Sequence, residues 1–185
     1  MPAFDQLTLN TRRLLLRPLR GSDADALLGL FSDPKVMRYW STPPWKSIDQ
    51  ARSMIDRDGK AMAAGEHVRL GLERTEDGVL IGTCTLFAIS EQCRRAEVGY
   101  AMASHAWGKA YMDEALRALL NYGFSELKLN RVEADIDPRN EASARSLERL
   151  GFKKEGYLRE RWIVGDEVSD TALYGLLHRD WHWRA

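Results

Sequence analysis

Short alternating stretches and two amphipathic stripes set the pattern of the chain. Leu14-Leu15-Leu16, set between arginines, predicts a first strand that stops near Pro18. Ser22, ahead of Asp23-Ala24-Asp25, reads as the N-cap of a helix with Leu27, Leu30 and Phe31 on its apolar face. Ser47-Ile48-Asp49-Gln50 is a capping box for a second helix, with Ala51, Met54 and Ile55 behind it. Val68, Leu70 and Leu72 then alternate with His67, Arg69, Gly71 and Glu73, the period of a half-buried strand. Asp77-Gly78 predicts a hairpin turn into a return strand, Val79 to Phe87. Ala96 to Met102 follows as a fourth strand. From Gly108 to about Phe124 a helix is predicted, because Met112, Ala115, Leu116, Leu119 and Leu120 form one stripe. Strand Arg131–Ile136, a break at Asp137-Pro138 and helix Asn140–Leu150 come next, with Gly151 as C-terminal cap. Phe152–Val164 and Asp170–Leu177 close the chain as a hairpin joined through Gly165-Asp166.

The order is therefore β-αα-βββ-α-β-α-ββ. Directly consecutive strands must pair antiparallel, and the strand-helix-strand segments require at least one parallel neighbour. The expected fold class is mixed α/β, with a mostly antiparallel central sheet of about seven strands flanked by helices. No repeat or linker interrupts the pattern. Ser41-Thr42-Pro43-Pro44 is only a loop, so residues 1–185 are expected to form one domain.

Composition narrows the function. The chain has 185 residues, 44% hydrophobic and 29% charged, with 27 basic residues against 27 acidic ones. A zero net charge argues against a nucleic-acid binder held by charge alone. No window approaches the length of a membrane span and the start lacks a signal-peptide pattern, so the expected location is cytoplasmic, without membrane attachment. Cys84 and Cys93 are too few for a disulfide framework and are expected as reduced thiols. His178 and His182 lie four apart with no third ligand nearby, so no metal is expected.

Two segments carry candidate chemistry. In His105-Ala106-Trp107-Gly108-Lys109-Ala110-Tyr111, small residues bare the backbone where a helix begins. Free N–H groups and the helix dipole would cradle a phosphate or pyrophosphate there, unless this is an ordinary helix entry with a glycine in its loop. It is neither a dinucleotide fingerprint nor a P-loop. The second segment runs from Asp137 to Tyr157, where Asn140 is placed to cap a helix and Ser143 lies in its first turn.

Together these segments resemble the GNAT superfamily of acyl-CoA-dependent N-acetyltransferases, over nearly the whole chain from Leu14 to Leu177. His105-x-x-Gly108-x-Ala110 fits the family's Gln/Arg-x-x-Gly-x-Gly/Ala loop, with His in the Gln/Arg position. Asn140, Ser143, Gly151-Phe152 and Glu155-Gly156 match its second block. Arg12-Leu14-Leu16-Arg17-Pro18-Leu19 and Asp33-Pro34-Lys35-Val36-Met37-Arg38-Tyr39-Trp40 are similar to the Rim-type branch, the ribosomal-protein N-terminal acetyltransferases.

The resemblance implies a GNAT-like fold and acetyl-CoA as co-substrate. It implies transfer of acetyl to a primary amine, first of all the N-terminal α-amine of a protein or peptide. A polyamine, aminoglycoside or amino-acid derivative is the alternative acceptor, and a non-catalytic acyl-CoA-binding module the alternative role. Backbone groups around Val98, Tyr100 and Met102 would line the pantetheine arm. Trp107, Gly108, Lys109, Ala110 and Tyr111 would hold the pyrophosphate, and Asn140 and Ser143 would also contact the cofactor. Glu97 is the expected base, acting through water. Many members carry a tyrosine as general acid where this chain has Leu147, so Ser143 is the expected acid. Tyr39, Trp40, Trp45, Glu160 and Trp162 are candidate acceptor contacts. The protein would act as a monomer or a homodimer.

Overall fold

The computed structural model describes residues 1–182. In chain order its elements are β1 (Leu9–Asn10), β2 (Leu14–Arg17), α1 (Ala24–Ser32), α2 (Pro34–Met37), α3 (Ile48–Ala63), β3 (Val68–Arg74), β4 (Leu80–Ser90), β5 (Arg95–Met102), α4 (Tyr111–Ser125), β6 (Arg131–Ile136), α5 (Glu141–Arg149), β7 (Lys153–Val164) and β8 (Glu167–Leu177). The strands make one sheet in the order β1-β2-β3-β4-β5-β6-β8-β7. Only β5 and β6 pair parallel, across the crossover through α4; every other neighbouring pair is antiparallel. The mixed, mostly antiparallel architecture expected from the element order is the one observed. Among the described residues the sheet has eight strands, not about seven. The addition is β1, two residues that pair Leu9 with Leu16 and Asn10 with Leu15, too short to show a period.

Local chemistry explains where elements begin. The Ser47 box is formed: Ser47 Oγ accepts from Asp49 N (3.1 Å) and Gln50 Oε1 accepts from Ser47 N (3.2 Å). Ser22, in contrast, caps nothing. A 3-10 turn covers Gly21–Asp23, and α1 starts at Ala24 without a side-chain cap. The reason lies one residue on. Asp23 turns inward to accept from Arg17 Nη1 (2.8 Å), Arg17 Nη2 (2.9 Å) and Arg20 N (2.7 Å). Arg17 also donates to Glu73 (2.6 Å), so the buried charges are held in one network. The unexpected single-turn α2 is started by Asp33, which accepts from Lys35 N (2.8 Å), with Pro34 at the first helical position.

The sheet is apolar on both faces. One face packs Ala96, Val98, Val132 and Ala134 against Leu116, Leu119, Leu120 and Phe124 of α4 and Leu147 of α5. Toward the other face, Leu80 and Ala101 join Leu27, Leu30 and Phe31 of α1 and Ala51 and Met54 of α3. Because side chains alternate along a strand, Glu97 lies on the α1–α3 face of β5 while Tyr100 lies on the α4–α5 face. Among the described residues no helix is long and apolar enough to cross a membrane.

Candidate active site

The central feature is an interrupted ladder. β5 and β6 pair through Arg95–Arg131, Ala96–Val132 and Glu97–Glu133, and there the pairing stops. β5 continues to Met102 and β6 to Ile136, each paired only on its far side. The two strands thus open a wedge whose apex is the Glu97–Glu133 pair. The unpaired edge Val98–Met102 leaves backbone N–H and C=O groups, the Met102 carbonyl excepted, for an extended ligand to pair with.

Below the wedge lies the start of α4. Gly108 (φ +75°) and Ala110 (φ +59°) adopt left-handed backbone, so the helix starts at Tyr111, not at Gly108 as its stripe suggested. The N-terminus has no side-chain cap, and the first amide with a backbone acceptor is that of Glu114, bonded to Ala110 O at 3.2 Å. A Cβ placed on Gly108 would meet nothing within 4 Å, so the loop rims open space. An uncapped helix start beside a bare glycine backbone has N–H groups and a dipole of the polarity that suits an anion.

The carboxylates nearest this cradle are already engaged. Glu114 accepts from Thr11 Oγ1 (2.6 Å), Arg13 N (2.7 Å) and Arg13 Nε (2.7 Å), and Arg13 Nη1 donates to Lys109 O (2.9 Å). Burial opposes the Glu114 charge, but these bonds outweigh it and hold its carboxyl below the ordinary range. Asp113 is paired with Arg149 (2.8 Å). The Arg13 guanidinium also stands 4.4 Å over the ring of Tyr111, which is buried. Trp107 is half exposed, its indole N–H donating to Met102 O (2.7 Å), which ties the loop to the end of β5.

At the mouth of the wedge, Asn140 Oδ1 caps α5 by accepting from Ser143 N (3.1 Å). Ser143 Oγ lies 2.7 Å from the Tyr100 hydroxyl. Burial pushes the Tyr100 phenol up to about 12, against the opposing effect of that bond. Tyr100 was expected to offer only its backbone, so the contact of its hydroxyl with Ser143 is a feature the sequence reading missed. Strand alternation puts it opposite Glu97, but its partner sits on a distant helix. Leu147, in the position where a tyrosine was sought, is fully buried in the core.

Glu97 is half-buried and makes no hydrogen bond among the described residues. Burial, then the adjacent Glu133, raise its carboxyl above the ordinary value. Glu133 itself is spoken for by Arg131 (2.7 Å) and Arg95. Asp135 continues the same face of β6, accepting from Thr171 Oγ1 (2.8 Å) and Trp162 Nε1 (3.4 Å).

The remaining candidates separate. Trp162 joins this face. Tyr39 stands beside the β6–α5 loop, with Arg139 5.8 Å from its ring. Arg139 is held there by Asp137 (2.6 Å) and Glu167 (2.7 Å). Trp40 and Trp45 instead pack on Phe31, at 5.4 Å and 4.6 Å between ring centroids. Glu160 is exposed, in a left-handed bulge of β7 (φ +53°), with its amide bonded to Asp170 (2.7 Å). Cys84 is buried, its thiol pushed up to about 12, and Cys93 is exposed. A cavity of about 440 Å³ along α3, lined by Ser53, Asp56, Arg57, Lys60, Ala61 and Glu66, shares no residue with the wedge. No group of three or more His, Cys, Asp or Glu side chains among the described residues could hold a metal ion.

Comparison with known proteins places this geometry. The model of the acetyltransferase (GNAT) domain matches residues 13–153. The N-acetyltransferase p20 of Bacillus licheniformis, itself uncharacterized, is 37% identical over 174 residues, covering 94% of this chain and 98% of its own. YdaF of Bacillus subtilis (strain 168), provisionally named a ribosomal N-acetyltransferase, is 39% identical over 105 residues, 57% of either chain. Spermidine N(1)-acetyltransferase of Escherichia coli (strain K12) is 27% identical over 160 residues, covering 84% of this chain and 81% of its own. A crystal structure of a provisionally assigned acetyltransferase superposes with a TM-score of 0.86 at 31% identity, over 95% of this chain and 99% of that one.

Proposed function

The chain belongs to the GNAT acetyltransferase family and is an acetyl-CoA-dependent N-acetyltransferase; from that premise we propose that it acetylates the N-terminal α-amine of a protein or peptide, as a Rim-type enzyme. The observation that carries the site is the wedge between β5 and β6, open above an uncapped helix start.

Acetyl-CoA supplies a thioester carbonyl and a thiol leaving group. The fit of this chain to it rests on two features. The Trp107 amide is taken by Ser104 O (3.3 Å), which leaves the amides from Gly108 to Tyr111 for an open cradle of the right polarity for a pyrophosphate. The unpaired edge of β5 from Val98 through Tyr100 to Met102 suits the amide-bearing pantetheine arm. Asn140 spends its carbonyl oxygen on the α5 cap and keeps its amide N–H groups for the ligand or a water.

The chain's own groups then divide the work between proton removal and leaving-group stabilisation. Glu97, on the opposite face at the apex, removes a proton from the incoming ammonium, directly or through water. Its raised pKa makes it a better base than an ordinary glutamate. Ser143, on the cofactor face, meets the departing sulfur. The amine arrives from the side of Asp135, Trp162 and Tyr39, and the thiol leaves on the other side of the sheet.

An α-amine of pKa about 8 is roughly a tenth neutral at pH 7, whereas a lysine near 10.4 is neutral only at parts in ten thousand. A single carboxylate base is adequate for the former. The provisional assignment of YdaF points the same way, and the Rim-like segments Arg12–Leu19 and Asp33–Trp40 support it. The likeness to spermidine N(1)-acetyltransferase favours a second reading, a polyamine acceptor, which the carboxylates Glu97 and Asp135 could receive. Mass spectrometry of peptides offered with acetyl-CoA tests the choice. One set has a free α-amine and no lysine; the other has a blocked N-terminus and a lysine; spermidine is the third acceptor. Acetylation of the first set alone is expected. Modification of spermidine in preference to every peptide would contradict it.

A further inference from the structure

The pairing of Tyr100 with Ser143 is used by neither the family loop nor the core. Three facts bear on it. Tyr100 Oη and Ser143 Oγ are 2.7 Å apart and each is the other's hydroxyl partner. The backbone N–H of Ser143 is fixed by Asn140 Oδ1, which holds its Cα in place, and the bond to Tyr100 is what sets the rotamer of its hydroxyl. Tyr100 stands on the stretch of β5 that has no β6 partner, at the wedge itself.

A phenol is a stronger hydrogen-bond donor than an aliphatic hydroxyl. The shared bond is therefore best made by Tyr100 donating to Ser143 Oγ. No other group among the described residues accepts from the serine hydroxyl, so its proton is left for a ligand in the wedge. We propose that Tyr100 is a positioning residue for the leaving group: by donating to Ser143 it aims the Ser143 O–H at the departing sulfur, which is released as a hydrogen-bonded thiolate. This rests on the acetyl-CoA reading of the wedge.

The electron count is simple. The amine nitrogen forms its bond to the acetyl carbon, the C–S bond breaks, and its electron pair stays on sulfur. The ammonium gives one proton to Glu97 or water before attack, and the nitrogen gives a second to water as the tetrahedral adduct collapses to the amide. Neither hydroxyl gives up its proton. A thiol ionises near ~8.5 and a phenol near ~10, so transfer from tyrosine to thiolate runs uphill. Burial raises the Tyr100 phenol still further, which widens that gap and keeps it a neutral donor. The thiolate takes its proton from water after it leaves.

Bound CoA is the probe. Ultraviolet absorbance of the thiolate, followed against pH in the complex, gives the pKa of the bound thiol. With wild type it is expected about one to two units below the free thiol, the effect of a hydrogen bond to a charged acceptor. Tyr100→Phe and Ser143→Ala should each return it most of the way, and the double variant should add little. Turnover should fall about ten- to hundredfold in kcat in each single variant, with KM for the amine unchanged. Ser143→Thr keeps the hydroxyl and should restore both readouts. A bound thiol that ionises at the same pH in wild type and in folded Tyr100→Phe would overturn the proposal while leaving the CoA site intact. Failure of wild type to bind CoA in calorimetry would instead overturn the reading on which it rests, and this proposal with it.

Discussion

Glu97, the proposed base, stands where the strand pairing ends, and its raised pKa goes with that place. It is the last β5 residue opposite β6, where burial and Glu133 disfavour its anion. Glu97→Gln keeps the shape and removes the proton acceptor, so initial rates at limiting acceptor should drop on the order of 10²-fold at neutral pH. The deficit should shrink at high pH, where free amine is plentiful. In wild type the base works only when ionised, so the rising limb of the pH–rate profile should lie above the ordinary glutamate range. Equal rates for wild type and Glu97→Gln at neutral pH would make Glu97 a structural carboxylate. Asp23 behaves oppositely. Burial opposes its charge, but the bonds from Arg17 and Arg20 outweigh that and depress its pKa. Its contribution to stability is present above the ordinary aspartate pKa and lost as pH falls through the depressed one. Asp23→Asn leaves Arg17 with Glu73 as its one carboxylate partner among the described residues and should cost about 3–5 kcal/mol in urea denaturation at neutral pH, less below pH 4. Gly108, Asn140 and Ser143 were legible as single letters because backbone freedom and capping are local properties. The Tyr100 side chain was not, because its partner lies on an element that only the fold brings near.

At the scale of elements, the late start of α4 is the feature with most consequence. A left-handed Ala110 is strained relative to glycine, while Gly108 needs its positive φ. Gly108→Val should cut CoA affinity in calorimetry by at least an order of magnitude, because the branched side chain both resists that φ and fills the space over the cradle. Unchanged affinity in a folded variant would mean the pyrophosphate binds elsewhere. Asn140→Ala removes the α5 cap and should lower stability by about 0.5–2 kcal/mol in thermal melts. By freeing the amide of Ser143 it should lower kcat as well; a lower Tm with unchanged kinetics would leave only the cap. The helix stripes and the Asp77-Gly78 turn announced these elements from their periods. The wedge could not be announced, because Val98–Met102 reads as strand whether or not β6 follows it. Ser22 misled for a related reason: the buried Arg17–Asp23 pair, a tertiary contact, overrode the local capping preference.

The whole molecule uses its single sheet as a partition. α4 and α5 cover the face on which Tyr100, Ser143 and the uncapped helix start converge. α1–α3 cover the side on which Glu97 stands, and Asp33 ties their corner to β5 through Ser104 (2.7 Å). On the proposed function the opening between β5 and β6 is the passage from one face to the other, where a thioester would present its carbonyl to an amine on the far side. That partition is the central claim, and a crystal structure of the protein with CoA tests it most directly. The account predicts the pyrophosphate on the amides from Gly108 to Tyr111 and the sulfur between β5 and β6, within hydrogen-bonding reach of Ser143. CoA lying outside the wedge, for example along the α3 cavity lined by Arg57 and Lys60, would contradict it.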